Sequence, residues 1–255
     1  MKYLKLFETD AQYESYKSSD DFVLPNVSYT NDGNVYYNPF IESTSSYVAV
    51  DLGLPSGRLW ADRNVGAESP EDYGLYFQWG DTIGYTTDQV GKDKVFNWYD
   101  YFDTTDGSNT FNKYATDKLT VLEASDDAAS VNMGSDWRMP TQTEMQELID
   151  NTTPTFIDLQ GNEFSRSETQ SGAIAENNLK GVRFTGSNGN SIFIPASGYC
   201  LTSTFSGTGS VCFLWSSVLH SSSSRYAMSL PFGFDGDLKI LDFDRCYGNS
   251  VRAVR

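Results

Sequence analysis

The sequence predicts an α+β fold in which strands and loops predominate and helices are few and short. Aromatic residues make up 15% of the 255 residues, with 16 tyrosines and 16 phenylalanines, and such residues favour strands. Glycine, serine and threonine are plentiful while leucine, lysine and glutamate are scarce, which favours turns and loops over helices. At this length we expect one large domain with a small appendage.

Residues 1–46 predict a small β arm followed by a linker. Residues 22–29 and 35–37 have the character of two strands, and Asn31-Asp32-Gly33-Asn34 between them is a strong turn signal. A hairpin of this size buries little surface by itself, so we expect it to pack on the main domain or on a partner. The serine- and threonine-rich residues 41–46 form the linker.

The main domain is expected over residues 47–255 and begins with two short strands. Residues 47–52 and 59–61 predict this pair on either side of a proline-glycine turn. Ser69-Pro70-Glu71-Asp72 predicts the start of a short helix, with serine as the cap and acidic side chains in the first turn. An aromatic strand is expected at 76–80.

Residues 81–115 predict a long ordered loop that aromatic side chains hold in place. Two helices are expected after it. Residues 125–129 have the character of a short helix start, and Thr141 with Glu144 forms a capping box. Apolar residues at i, i+3 and i+4 behind that box predict a helix near 142–151.

The remaining chain predicts strands. Residues 181–185 and 191–195 form a hairpin around Ser187-Asn188-Gly189-Asn190. Further strands are expected near 211–217, 225–230, 238–243 and 249–254.

The net charge of −16 excludes several classes of partner. Nucleic-acid binding requires clustered lysine or arginine, and the sequence contains no basic stripe. Attraction to anionic membranes is disfavoured for the same reason. No apolar run is long enough to span a membrane, and the first residues lack the apolar core of a signal peptide. We therefore expect the chain to be made and kept in a cytoplasm, or to be carried out by an assembly or by lysis.

The three cysteines, Cys200, Cys212 and Cys246, form no CxxC pair, and His220 is the single histidine. A zinc site is therefore not expected, and neither metal nor cofactor is predicted. Buried free thiols are the expected state; one disulfide with one thiol left over is the alternative.

Several phrases in fixed order resemble the Fibrobacter succinogenes major paralogous domain. They cover roughly residues 47–255. The phrases are Val50-Asp51-Leu52-Gly53-Leu54-Pro55-Ser56-Gly57-Arg58-Leu59-Trp60-Ala61, Asn64-Val65-Gly66-Ala67, Pro70-Glu71-Asp72-Tyr73-Gly74, Phe77-Gln78-Trp79-Gly80-Asp81, Asp126-Asp127-Ala128-Ala129, Trp137-Arg138-Met139-Pro140-Thr141, Glu147-Leu148-Ile149, Gly189 to Tyr199, Trp215-Ser216-Ser217 and Ser250-Val251-Arg252-Ala253-Val254.

This resemblance implies a C-type-lectin-like fold: mixed antiparallel sheets, two short helices and long ordered loops. It also implies a loop-rich face built by residues 215–247. The serine, tyrosine, glycine and asparagine content of those loops is typical of a binding surface. The expected ligand contacts are His220, Ser222, Arg225, Tyr226, Phe234, Asp235, Asp237, Asp244 and Tyr247.

The arm is similar to the starts of structural proteins from Bacteroides phages, including crAss-like ones, in Lys5-Leu6-Phe7, Leu24 to Tyr29 and Tyr37-Asn38-Pro39. The two resemblances together imply a non-enzymatic virion protein, a head or tail fibre or decoration. The arm would attach to capsid or tail proteins, and the lectin-like domain would bind a host-surface glycan or protein. A homotrimer is expected by analogy. The alternative is a lectin-like binding module of a bacterial surface or cytosol.

Enzymatic alternatives are weaker. Formylglycine-generating enzymes, which resemble copper oxidases, share the broad fold, and Arg138-Met139-Pro140-Thr141 is similar to one of their motifs. Those enzymes use two closely spaced cysteines. In this sequence Cys246 has no second cysteine in its segment. A serine triad would need His220, and no serine lies in a nucleophile elbow.

Acidic and aromatic residues each allow a second interpretation. The pairs Asp235/Asp237 and Asp242/Asp244 allow calcium, although solvated acidic loops are the preferred interpretation. Core positions are expected for Trp60, Trp79, Trp137 and Trp215 rather than sugar-binding ones, while Trp98 is left open.

Overall fold

A computed structural model describes residues 47–98, 111, 113–115 and 118–255, together with the backbone of short strands at 27–29, 35–37, 102–103 and 110. The chain divides into two compact units, Met1–Glu42 and Ser43–Arg255. The predicted linker at 41–46 and, within the predicted loop at 81–115, residues 99–101, 104–109 and 112 lie outside the described residues. The attachment and display roles of the two units remain predictions.

The first unit contains the predicted hairpin. Strands β1 (Val27–Tyr29) and β2 (Val35–Tyr37) pair antiparallel, with Val27 opposite Tyr37.

The second unit consists mostly of β-sheet. Three two-stranded pairs are β3 (Ala49–Asp51) with β4 (Leu59–Ala61), β6 (Phe102–Asp103) with β7 (Thr110–Phe111), and β12 (Tyr199–Leu201) with β13 (Thr204–Ser206). A four-stranded antiparallel sheet has the order β11-β10-β8-β9 and contains β8 (Thr152–Asp158), β9 (Glu163–Ser165), β10 (Leu179–Gly186) and β11 (Ser191–Pro195). The predicted hairpin at 181–195 is thus confirmed.

The larger sheet has five strands and mixed direction. Its order is β16-β15-β14-β17-β5, with β5 (Tyr76–Phe77), β14 (Val211–Leu219), β15 (Tyr226–Gly233), β16 (Leu241–Asp244) and β17 (Asn249–Ser250). Only β17 runs parallel to its neighbour β14; the other pairs within this sheet are antiparallel.

Three short helices occur in the described residues, one more than the family resemblance implies. Helix α1 (Ala128–Met133) is capped by Asp127, and α2 (Gln142–Asn151) begins with the predicted capping box of Thr141 and Glu144. The additional helix α3 (Arg166–Gln170) is capped by Ser165. Its five residues contain no apolar repeat, so the period that identifies longer helices is absent.

The core fills the space between these elements. One cluster joins α2 to both larger sheets through Leu148, Phe156, Val182 and Leu214. A second cluster surrounds Trp79, Trp137 and Trp215, while Trp60 belongs to the first. All four tryptophans are buried, which confirms their predicted core positions.

The helix predicted at Ser69-Pro70-Glu71-Asp72 is wrong: these residues form a turn. The Ser69 amide donates to the Asp72 carboxylate (2.8 Å), so the cap-like contact exists without a helix behind it. Gly74 has φ +74°, and a Cβ there would lie 2.5 Å from the Val65 carbonyl oxygen. The chain has to reverse at this glycine, which leaves no room for a helical turn.

The extent of two other predicted strands also differs. The strand at 76–80 pairs only over Tyr76–Phe77, and the last strand is Asn249–Ser250 rather than 249–254. None of the helices among the described residues combines the length and the apolar character that crossing a membrane requires. The α+β class with dominant strands is confirmed.

Candidate functional site

The direction of the strands divides the nine predicted ligand contacts between the two ends of the five-stranded sheet. Tyr226 pairs with Asp244, whereas Gly233 pairs with Val211 at the far end of the same strands. The span of β15 between these points is about 23 Å. The hairpin end contains His220, Ser222, Arg225, Tyr226, Asp244 and Tyr247. The return loop, residues 234–240, contains Phe234, Asp235 and Asp237. The structure therefore does not bring all nine together.

Arg225 is an exposed charged group at the hairpin end, with 55% of its side chain accessible. Its Nε donates to Asp244 Oδ1 (2.5 Å), and this hydrogen bond raises the pKa of the guanidinium. The guanidinium carbon lies 5.0 Å from the ring centroid of Trp98 and 5.7 Å from that of Tyr226. In the part of the chain that the structure describes, its two terminal nitrogens and the Tyr226 hydroxyl have no hydrogen-bond partner. They are available to a ligand.

His220 closes the turn of the hairpin. Its amide donates to the Tyr226 carbonyl oxygen (2.9 Å), and its ring Nδ1 lies 3.3 Å from the Ser222 amide and 3.4 Å from the Ser222 hydroxyl. Nε2 has no hydrogen-bond partner within the described residues, so the third group of a serine triad is not in place there. This His220–Ser222 contact is a turn contact.

Buried Arg245 supports the hairpin end from below. Its Nη1 donates to the carbonyl oxygens of Tyr114 (2.8 Å) and Ser224 (2.9 Å). Its guanidinium lies 4.9 Å from the Trp79 ring centroid and 5.0 Å from that of Phe111. The loop that presents Arg225 is therefore bonded directly to the core.

A group of four half-buried aromatic residues, here named the aromatic patch, adjoins the hairpin end. It consists of Tyr199, Phe213, Phe243 and Tyr247. The Phe213 and Phe243 rings stack at 4.2 Å, and Tyr199 meets both nearly at right angles, at 5.3 and 5.6 Å. Tyr247 lies 4.6 Å from Phe243.

Only Tyr247 of the aromatic patch was among the predicted contacts. The register of β14, β15 and β16 brings Phe213 and Phe243 to one face of the sheet, because Phe213 pairs with Pro231 and Ala227 pairs with Phe243. The spacing of Phe213 and Trp215 in the sequence indicates that these two side chains lie on one face of a strand. The sequence does not indicate which strand pairs with it or in which register.

The return loop satisfies its own polar groups. Asp235 accepts from the Asp237 amide (3.0 Å), and Asp237 pairs with Lys239 (2.7 Å). Phe234 packs against the core, and Arg166 of α3 donates to the Gly236 and Leu238 carbonyl oxygens (3.1 and 3.0 Å). This loop therefore offers fewer free groups than the hairpin end.

All three cysteines are buried and free, as expected. Burial raises the pKa of Cys200 to about 12, that of Cys212 to about 11 and that of Cys246 to about 12. These thiols are protonated at neutral pH. Over the described residues, no group of three or more histidine, cysteine or acidic side chains is arranged to hold a metal ion.

Comparison with known proteins adds no relative to this description. No protein-family model matches the chain, and searches of the curated proteins and of the solved structures found no match.

Proposed function

We propose that this chain is a non-enzymatic phage virion protein, a fibre or decoration of head or tail, that displays a lectin-like domain to the host surface. The second unit would adopt the C-type-lectin-like arrangement and present the hairpin end to a glycan or protein. The first unit would attach to capsid or tail proteins. Assembly as a homotrimer would multiply weak single contacts into firm attachment.

The observation that carries the binding role is the geometry of the hairpin end. Arg225 is exposed, oriented by Asp244 and by the rings of Trp98 and Tyr226, and it keeps unpaired donors. The loop is fixed to the core through the bond from Arg245 to Ser224. A preorganised arginine beside aromatic rings is typical of binding hot spots, because little entropy is lost on contact.

The state of the thiols supports a binding role over the copper oxidase. Copper ligation by cysteine requires thiolates, and the thiolate is disfavoured by burial at Cys246, whose pKa is raised to about 12. At the hairpin end, the His220–Ser222 contact likewise lacks a third catalytic group among the described residues.

Two measurements test the proposal with the full chain. Antibody labelling of purified phage particles in electron micrographs should decorate head or tail at fixed positions. Absence of the label from intact particles, with the protein present in the lysate, would favour the bacterial binding module.

Host-cell binding tests the site. The full chain should bind host cells, and Arg225→Ala should reduce that binding at least about tenfold, since a truncated hot-spot arginine costs more than about 1.4 kcal/mol. Lys239→Ala in the return loop is the matched control and should bind as the unmodified chain does. Equal binding by both variants would remove the hairpin end from the proposal.

A further inference from the structure

The aromatic patch is a half-buried group of rings that has no cation over it, unlike ten other rings of the described residues. Among the described residues, seven lysine or arginine side chains lie over ten aromatic rings. Examples are Arg63 over Tyr47 (4.3 Å) and Arg255 over Trp137 (5.0 Å). Across the same residues, no lysine or arginine lies over any of the four rings of the aromatic patch.

The electrostatic surroundings of the aromatic patch favour a cation. The whole chain carries a net charge of −16. Phe243 lies on β16, an edge strand of the sheet, and its neighbour Asp242 is exposed, with no hydrogen-bond or ion-pair partner in the described part of the chain. Burial first, and then the negative charge of Asp244, raise the pKa of Tyr247, while the guanidinium of Arg225, which is paired with Asp244, lowers it. Aromatic ring faces have a negative potential of their own, which adds to the negative field of the whole chain.

The packing of the rings determines the size of group that fits. Their centroids are 4.2 to 5.6 Å apart, so they touch one another and enclose no cavity for a small cation between them. A cation has to lie on the outer surface of the patch. A second copy of this chain would bring another strongly negative molecule to the same place, so a basic partner is the complementary occupant.

We propose that the aromatic patch binds lysine or arginine side chains of a basic protein segment through cation–π contacts. The proposal concerns a surface outside the contacts made by Arg225 and does not depend on the virion role. The protein makes cation–π contacts of this kind within itself at ten other rings. At the aromatic patch, the cation would come from the partner. Such contacts become stronger as they exclude more water.

The test uses the full chain and a fluorescent peptide of alternating lysine and glycine, followed by fluorescence anisotropy. The double variant Phe213→Leu/Tyr247→Leu keeps the net charge and the apolar character but removes two ring faces. We expect it to weaken peptide binding about tenfold, which corresponds to about 1.4 kcal/mol. Phe193→Leu is the matched control, because Lys180 already lies over that ring (6.0 Å), and it should bind as before.

Two outcomes would overturn the proposal. Unchanged affinity of the double variant would show that the peptide responds to net charge alone, and equal binding of a peptide with acetylated lysines would show that no cation is needed. Self-association of the unmodified chain that the double variant abolishes would identify a second copy as the occupant instead.

A measurement on the unmodified protein protects the test against misfolding of the variant. Lysine ε-methylene protons of the peptide should shift upfield in its NMR spectrum when they lie over ring faces, and the absence of that shift in the saturated complex contradicts the proposal. Circular dichroism of each variant checks that the fold is retained.

Discussion

The two ends of the five-stranded sheet are built from similar residues and differ in what covers them. The hairpin end presents Arg225 with unpaired donors, whereas the return loop directs Asp235 back to its own backbone. Helix α3 lies against the return loop through Arg166, and a comparable helix is not found at the hairpin end among the described residues. Loop composition alone therefore does not identify a binding surface. Exposed donors and acceptors that have no partner within the described residues are the better indication.

The largest effect is expected at Arg245, the support of the hairpin end. Arg245→Met keeps most of the side-chain volume but leaves the buried Tyr114 carbonyl oxygen and the partly buried Ser224 carbonyl oxygen without this donor. Each such loss costs about 1 to 3 kcal/mol, so we expect the free energy of unfolding to fall by about 3 kcal/mol. Urea denaturation followed by tryptophan fluorescence measures it.

The matched variant at the same end is Arg225→Met, which removes an exposed arginine. We expect it to lower stability by less than about 1 kcal/mol, because exposed ion pairs contribute little. If the two arginine variants were equally stable, the division of this end into a buried support and a presented contact would be wrong.

Gly236 tests the other end, where the loop approaches α3 closely. Its φ is +73°, and a Cβ there would lie 2.8 Å from Gln170 Cγ and 3.0 Å from the Arg166 carbonyl oxygen. Gly236→Ala should therefore cost about 2 to 3 kcal/mol through backbone strain and overpacking together. Thermal unfolding by circular dichroism reports the change.

Gly189→Ala measures the backbone-strain part of that cost on its own. Gly189 also has a positive φ, +85°, but a Cβ there meets nothing within 4 Å. It should cost about 1 to 2 kcal/mol from strain alone. Equal losses at the two glycines would mean that α3 does not restrain the return loop.

Elements whose signals are local were predictable from the sequence. The capping box at Thr141 fixed the start of α2 to the residue, and the turn at 187–190 gave the hairpin of β10 and β11. Helix α3 is a single turn without apolar period, and the turn at Ser69 imitates a helix cap, so local patterns failed at both. The parallel contact of β17 with β14 is non-local, and no short pattern encodes it.

The sequence predicted which residues could contact a ligand, but it did not predict which of them lie together in the structure. Arg225, Tyr226 and Asp244 come together because β15 and β16 pair in one register. Trp98 reaches Arg225 from a distant loop, and that contact could not be read from spacing. The return-loop residues have a similar composition but lie at the opposite end of the sheet. The strand β15 carries the chain from the hairpin end to that opposite end between the two loops.

Acid tests a third place in the molecule, because Glu144, a carboxylate whose pKa the fold lowers strongly, lies at the start of α2 and at neither end of the sheet. Burial of Glu144 opposes its ionisation, but hydrogen bonds from Arg138 and Thr141 outweigh it and lower its pKa from 4.5 to about 2. A carboxyl group whose pKa is lower in the folded state than in the unfolded state stabilises the protein above pH 4.5. This stabilisation is lost as the pH falls from 4.5 towards 2.

We expect this loss to reach about 2 kcal/mol over that window, seen as a falling urea midpoint. Glu144→Gln should be less stable at pH 7 and should lose less between pH 4.5 and 2. An unchanged acid dependence in this variant would place the sensitive carboxylate elsewhere.

The smallest effect is expected at Asp237, which pairs with Lys239 on the surface of the return loop. Both side chains are about half exposed, at 53% and 52%, so solvent screens their attraction. Asp237→Asn should change the free energy of unfolding by no more than about 0.5 kcal/mol and should leave host-cell binding intact.

Asp244→Asn removes the corresponding carboxylate beside Arg225 and should weaken host-cell binding, because the guanidinium loses the acceptor that orients it. Equal binding losses in the two variants would mean that both loops contact the ligand, and the distinction between the two ends of the sheet would not hold.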